Sequence, residues 1–275
     1  MYNSFIRPHF DYLDVLYNSS AEKLLKLIDQ CHYQAALLCS GCHGSSDTNK
    51  VLRTLNWIPM TSRRQMHCHN FMYKVLMNKV PSYVKGITEG FKNTAVRRMT
   101  HAHTYLVPVK CSIRFRESPL PNAISLWNPL PNNIKKSTSL MVLKKELKKH
   151  YKLSNDITTS QLDLTRRQEL YLNRARVDLL LKARLCAHHF SDATSPNWIC
   201  GKPETLKHFF FQCRALLAER TQLFNKITDL YSNFDKIKTI DNKLRFLLYG
   251  HNEMSLRELN SLFVLVTDYI HDNRA

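Results

Sequence analysis

The chain has 275 residues, 44% of them hydrophobic and 10% aromatic, and carries a formal net charge of +18 from 40 Lys and Arg against 22 Asp and Glu. That much apolar content excludes a disordered polyelectrolyte, and the absence of any apolar run approaching eighteen residues excludes a membrane-spanning helix, so one large or two modest folded domains are expected. Six glycines leave few places for the tight corners of sheets, so the expected class is mainly α, and eight cysteines without a signal peptide read as free thiols in a reducing compartment, nuclear or cytoplasmic.

Residues 1–40 read as two helical segments. Phe5 and Ile6 precede a break at Arg7-Pro8, and Leu24, Leu25, Ile28, Cys31, Ala35 and Leu38 then recur at helical spacing behind Ser19 or Ser20 as the N-cap. Met1 falls within a helical pattern rather than before it, so the domain is expected to begin upstream. Residues 40–48 are small and polar, a turn by composition. A short helix over 49–55 ends at Trp57-Ile58-Pro59, and Ser62 is the expected cap of a long helix reaching about Lys79 and stopped by Pro81.

Residues 82–132 change character. β-Branched and alternating stretches around Pro108 predict a small hairpin or extended pair near 103–116, and the proline-rich stretch 118–131 reads as a compact loop pinned by Trp127. Ser137 or Ser139 then caps a helix to about Tyr151, with Leu140, Leu143, Leu147 and Tyr151 as one stripe and Lys144, Lys145, Lys148, Lys149 and Lys152 on the opposite face. Residues 154–160 are the best linker candidate, which divides the chain into a helical region 1–153 and a C-terminal helical region 161–275. Helices are expected over 161–187, 214–230 and 255–272.

The charge is concentrated in one third of the chain. Residues 51–152 hold 19 Lys and Arg against three acidic residues, a net +16, whereas residues 1–50 sum to −1 and residues 153–275 to +3. A cationic surface of that density gains affinity for a polyanion through counterion release, which makes RNA or DNA the leading partner. The candidate phosphate contacts are Arg97, Arg98, Arg114, Arg116, Lys144, Lys145, Lys148 and Lys149. A membrane surface is the weaker alternative, because no basic segment carries the wide apolar face that interfacial insertion needs.

The segment 198–213, WICGKPETLKHFFFQC, reads as a degenerate zinc knuckle in which Cys200, His208 and Cys213 are three of the four donors a closed tetrahedral site requires. Gly201 and Pro203 supply the tight turn, and His208 and Cys213, five residues apart, face one point only if their helix ends or bends near Phe211. Trp198 stands where a fourth ligand would be useful; water, His188 or His189 would have to complete the shell. Zinc is therefore the metal these donors would take, and the incomplete shell leads to the expectation of no resident cofactor.

Other constellations carry less. Asp11 and Asp14 are spaced by three on a helical stretch and do not reproduce the adjacent carboxylates that clamp two Mg²⁺ ions. Cys39, Cys42 and His43 have metal-like spacing but share an apolar helix face and its loop with Cys31. His67, Cys68 and His69 point in three directions on one helix, so at most one of these histidines can join a residue elsewhere.

Taken in order, several segments resemble the C-terminal region of reverse transcriptases from non-LTR retrotransposons of the jockey and chicken-repeat type. These are Tyr2 to Tyr12 with Ile6-Arg7-Pro8 and Asp11-Tyr12; Leu55 to Met60 with Arg63-Arg64, Tyr73-Lys74 and Pro81-Ser82-Tyr83; Leu126 to Pro131 before Leu143-Lys144-Lys145-Glu146-Leu147; and Arg174, Arg176, Cys200-Gly201, Glu204-Thr205, His208-Phe209 and Cys213. The resemblance covers most of the chain and implies a helical region that follows a polymerase core and ends in a zinc knuckle. Two departures stand out. Trp198 replaces the family's usual Cys, and no two Asp are adjacent anywhere, so no polymerase centre and no catalytic residue is expected here. The function so implied is residual RNA or DNA binding by a fragment lacking its own active site, with a polymerase core encoded upstream as its protein partner; the alternative is a non-binding helical scaffold or a translated retroelement relic.

Overall fold

The computed structural model describes residues 2–42, 44, 46–89, 91, 112–152, 157–189 and 195–274. A π-helical turn, Tyr2–Ile6, leads into α1 (Arg7–Asp11), α2 (Asp14–Tyr17), α3 (Glu22–Ser40), α4 (Thr48–Thr54), α5 (Met60–Leu76), α6 (Ser82–Glu89), α7 (Ile113–Arg116), α8 (Pro119–Trp127), α9 (Asn132–Lys135) and α10 (Leu140–His150). Beyond a 3₁₀ turn at Thr159–Gln161 come α11 (Arg166–Arg176), α12 (Lys182–Ala187), a second π-turn at His208–Gln212, α13 (Leu217–Leu230), α14 (Ile240–Tyr249) and α15 (Leu256–Asn273). Among the described residues there is no β-strand, only one antiparallel bridge between Asn197 and Pro203.

The mainly helical class therefore holds, with local corrections. The stretch read as a loop over 118–131 contains α8, because Pro119 and Pro121 sit at the N-terminal end of the helix, where a missing N–H costs nothing. The end of the expected extended pair is instead the helical turn α7, capped by Ser112, whose side chain accepts the Phe115 N–H; residues 103–111 lie outside the described residues, as do 154–156 of the expected linker. The long helix opens at Met60 after Pro59, not behind Ser62. The single helix expected over 161–187 is two, interrupted by Asp178 in a left-handed conformation (φ 61°) and by the buried run Leu179, Leu180 and Leu181. Helices α6, α9 and α14 have no counterpart among the elements expected from sequence.

The chain divides into two compact units, residues 1–32 with 58–152, and residues 33–57 with 153–275. The division falls inside α3, between His32 and Tyr33. Residues 33–57, read from sequence with the first region, group with the second unit.

In the first unit α5 is the central helix, packed by α2, α8 and α10. Met66, Cys68, Met72 and Tyr73 from α5 meet Ala123, Ile124 and Trp127 from α8 and Leu143 and Leu147 from α10 in one buried cluster. Three polar groups on this helix find partners: Tyr73 donates to the Ser137 carbonyl at 2.9 Å, His69 Nε2 meets the Tyr151 hydroxyl at 2.9 Å, and the buried Arg64 guanidinium bonds Asp29 at 2.9 Å. Charged and hydrogen-bonded partners are what make burial of such groups tolerable.

The second unit is built on α15, whose buried face of Leu259, Leu262, Phe263, Val266 and Ile270 meets α11, α13 and α14. Ser255 and Glu258 form a capping box that satisfies the first backbone N–H groups of α15, and Thr165 and Gln168 do the same for α11. Arg176 crosses this core, donating to the carbonyls of Leu248 (2.8 Å) and Ile157 (3.0 Å) while lying over the rings of Tyr249 and Phe263. A smaller cluster joins Ala36, Leu37, Val51 and Leu52 to Val177, Leu179 and Leu185.

Two buried imidazoles give the first unit a pH dependence. Burial holds His69 and His32 down at about 4, His150 and Lys135 adding repulsion at His69. An unfolded histidine titrates near ~6.5, so the unfolded chain takes up these protons first as acid is added, and the stability is complete above that value and lost as pH falls toward 4. Each histidine contributes a slope of up to about 1.4 kcal/mol per pH unit in that window. Urea denaturation at pH 7 and 5 is expected to show a smaller drop for His69→Gln than for the wild type; identical drops would contradict the assignment.

Gly250, which ends α14 at φ 71° and ψ −160°, is a second test. That conformation is open essentially to Gly alone, and a Cβ there would stand 2.1 Å from Leu259 Cδ2. Gly250→Ala is expected to cost about 1–3 kcal/mol by denaturation. A neutral effect would show that the α14–α15 turn adapts.

Candidate functional site

Residues 195–213 place the three sulfur and nitrogen donors by two local devices. The first is a tight reverse turn: the Gly201 N–H donates to the Trp198 carbonyl at 2.9 Å, the Trp198 N–H donates to the Lys202 carbonyl at 2.8 Å, and Gly201 takes the left-handed conformation (φ 78°). This turn holds Cys200 at an exposed tip. The second is the π-turn His208–Gln212, closed by the Cys213 N–H donating to the His208 carbonyl at 2.8 Å. In an α-helix, positions five apart diverge by about 140°, whereas the wider π-turn returns them to the same side. This is the bend near Phe211 that the five-residue spacing requires.

Cys200, His208 and Cys213 accordingly present donor atoms all within 4.8 Å of one another, with Cys200 Sγ 3.2 Å from His208 Nε2. Zinc with sulfur bonds of ~2.3 Å spaces its ligand atoms roughly 3.5–4 Å apart, so the three donors fit a tetrahedral ion with little adjustment. Burial, reinforced by Lys202, lowers the His208 pKa and favours the neutral imidazole a metal needs.

Among the described residues no fourth donor joins the group. Trp198 is buried, edge-on to Phe209 at 6.2 Å, with Lys182 Nζ 5.5 Å from the centre of its ring. An indole has no ring nitrogen lone pair to offer. His188 and His189, both exposed, are not part of the donor group. Next to the turn, Glu204 is almost fully buried, accepts the Lys182 N–H at 2.9 Å, and has its pKa raised by burial.

The candidate phosphate contacts separate into three sets. Lys144, Lys145, Lys148 and Lys149 form one exposed face of α10, opposite the buried Leu143 and Leu147. None of the four makes an ion pair among the described residues. Arg114 and Arg116 are exposed on α7, a separate helix that packs on α8. Arg97 and Arg98 lie outside the described residues.

The structure also gathers a group that sequence spacing did not assemble: Asp11, Asp14 and His67, with ligand atoms within 4.8 Å of one another. Leu13, left-handed at φ 56°, turns the chain between α1 and α2 so that both carboxylates face α5. Asp14 is buried and bonded to His67 Nδ1, and Asp11 is gripped by Arg63, whose Nη2 donates to Oδ2 at 2.6 Å, with Arg7 at 3.9 Å. Two guanidinium groups thus already answer Asp11, and a divalent cation would have to displace them. The sequence signal was only that at most one histidine of His67 and His69 could join a residue elsewhere; in the structure both reach distant partners, His67 to Asp14 and His69 to Tyr151, which required the fold.

The metal reading has a direct test. With three donors and no fourth among the described residues, purified protein is expected to carry well under one equivalent of zinc, to bind added zinc weakly with proton release, and to lose that binding in Cys200→Ser, an exposed change that leaves folding intact. One equivalent retained against a chelator, or binding unaffected by Cys200→Ser, would contradict it.

Comparison of the chain with protein-family models, with curated proteins and with solved structures finds no match.

Proposed function

We propose that this chain binds RNA or DNA electrostatically through the cationic face of α10, aided by Arg114, Arg116, Arg97 and Arg98, as the C-terminal part of a retrotransposon-type reverse transcriptase whose catalytic carboxylates lie elsewhere. The observation that carries the reading is the set of four lysines on one exposed helix face with no acidic partner among the described residues. Paired surface lysines have their charge locally answered and release few counterions; unpaired ones release a counterion each when a phosphate replaces it. The face is sequence-independent in character, because lysines are point charges without the planar fork that reads base edges.

The resemblance supplies the second support. The order of its motifs places the lysine-rich helix after Leu126-Trp127-Asn128-Pro129-Leu130-Pro131, and Trp127 is the buried anchor of the unit that carries α10. In this reading the Cys200, His208 and Cys213 cradle is a local folding staple of the second unit or a relic of a zinc knuckle, without a resident metal, and a polymerase core is the protein partner.

The test is a titration with single- and double-stranded oligonucleotides across a salt series. The wild type is expected to bind with a steep negative slope of log affinity on log salt. The quadruple variant Lys144→Gln, Lys145→Gln, Lys148→Gln, Lys149→Gln is expected to lower that slope by roughly 3–4, about one for each phosphate left without its lysine. Absence of binding at low salt, or a slope unchanged in the variant, would overturn the proposal and leave a helical scaffold.

A further inference from the structure

We infer that the second unit holds a separate site for the phosphate of a nucleotide, in an open cleft of about 660 Å³ that runs along α14 and is flanked by the loops before and after it. Lys236 and Lys238 enter it from the loop that precedes the helix, Arg245 from the helix itself and His251 from the loop that follows. Among the described residues no carboxylate lines it. The nearest acidic residues in sequence are directed elsewhere: Asp241 pairs with Lys207 at 2.6 Å, and Asp235 accepts from the Thr228 hydroxyl at 3.4 Å. Glu253 touches His251 at 3.5 Å but does not line the cavity.

Arg245 is the residue that points to a ligand. It makes no hydrogen bond or ion pair among the described residues, and it borders both this cavity and a smaller one of about 210 Å³ that reaches Tyr249 and Met254. Lys238 likewise has no partner among the described residues, and the Lys236 amino group has only the neutral Asn233 Oδ1 at 2.8 Å. Three permanent positive charges around one concave space repel one another, and an anion of charge about −2 relieves that repulsion more than a carboxylate does. An arginine fork with two flexible ammonium groups is the donor set that phosphate oxygens take.

The remaining walls describe what the phosphate is attached to. Asn242 and Asn252 offer neutral donors and acceptors, while Ile237 and the buried Phe246 form an apolar side. A volume of this size lies within the range of about 300–1,000 Å³ typical of small-molecule sites and exceeds what a bare phosphate fills. A phosphate with its nucleoside uses both the cationic and the apolar wall. None of these residues belongs to α10, so the two sites can be tested separately.

The experiment is calorimetric titration of the full chain with adenosine monophosphate, adenosine and inorganic phosphate at low salt. The monophosphate is expected to bind, inorganic phosphate to bind more weakly, and adenosine not detectably. Arg245→Gln and Lys238→Gln, exposed changes whose folding is checked by circular dichroism, are each expected to weaken the monophosphate at least tenfold. A 5′-phosphorylated dinucleotide that competes would assign the site to a strand end, and one that fails to compete would assign it to a free nucleotide. No binding of the monophosphate, binding unchanged in Arg245→Gln, or adenosine binding as tightly as the monophosphate would overturn the inference. Inorganic phosphate binding as tightly as the monophosphate would overturn its nucleoside part. The oligonucleotide salt series on α10 reads other residues and another ligand, so failure there leaves this result interpretable.

Discussion

Leu143 and Leu147 are buried against α5, and that contact decides where the lysines of α10 go. On a helix with 3.6 residues per turn, fixing positions 143 and 147 inward turns 144, 145, 148 and 149 outward as one contiguous strip. The burial of two leucines, worth roughly 1.5–3 kcal/mol each, outweighs the repulsion among four solvated ammonium groups, which water and salt screen. Lys148, Lys149 and His150 also lie in the last turn, where positive charge meets the free carbonyls of the helix end. Hydrophobic packing thus holds open a charged face that its own electrostatics would disperse.

The second unit shows the same logic around its three donors. Phe209 and Phe210, between His208 and Cys213 in sequence, are buried edge to face with each other, and Tyr269 meets Phe209 edge to face while stacking on Phe210. Their packing fixes the π-turn, and the π-turn in turn sets His208 and Cys213 side by side. The three donors are therefore set side by side by the packing of the aromatic core, with Trp198 buried beside them. Trp198 adds its own apolar burial against Phe209.

Much of this was legible in the sequence, and the misses have physical causes. The stripe of Leu140, Leu143 and Leu147 with its lysine face is periodic and capped by Ser139, so both its helix and its orientation followed directly. The convergence of His208 and Cys213 was legible only as a condition, because a π-turn leaves no compositional mark. Proline content hid α8: four prolines in 118–131 read as a breaker, yet two of them occupy the first turn, where a helix tolerates them. The partner of His67 was not legible, since the Asp14 contact spans fifty-three residues and depends on a left-handed Leu13. Nor was the cationic cavity along α14: Asp235 and Asp241 flank Lys236 and Lys238 in sequence and mask them in any local charge count, and only the fold turns those carboxylates away.

The α10 face is tested most directly by acetylating accessible lysines in the presence and absence of an oligonucleotide and reading each site by mass spectrometry. A nucleic-acid face at α10 predicts protection of Lys144, Lys145, Lys148 and Lys149 by the oligonucleotide at low salt, with protection fading as salt is raised. Equal labelling of those four lysines with and without oligonucleotide, while the oligonucleotide is bound, would contradict it.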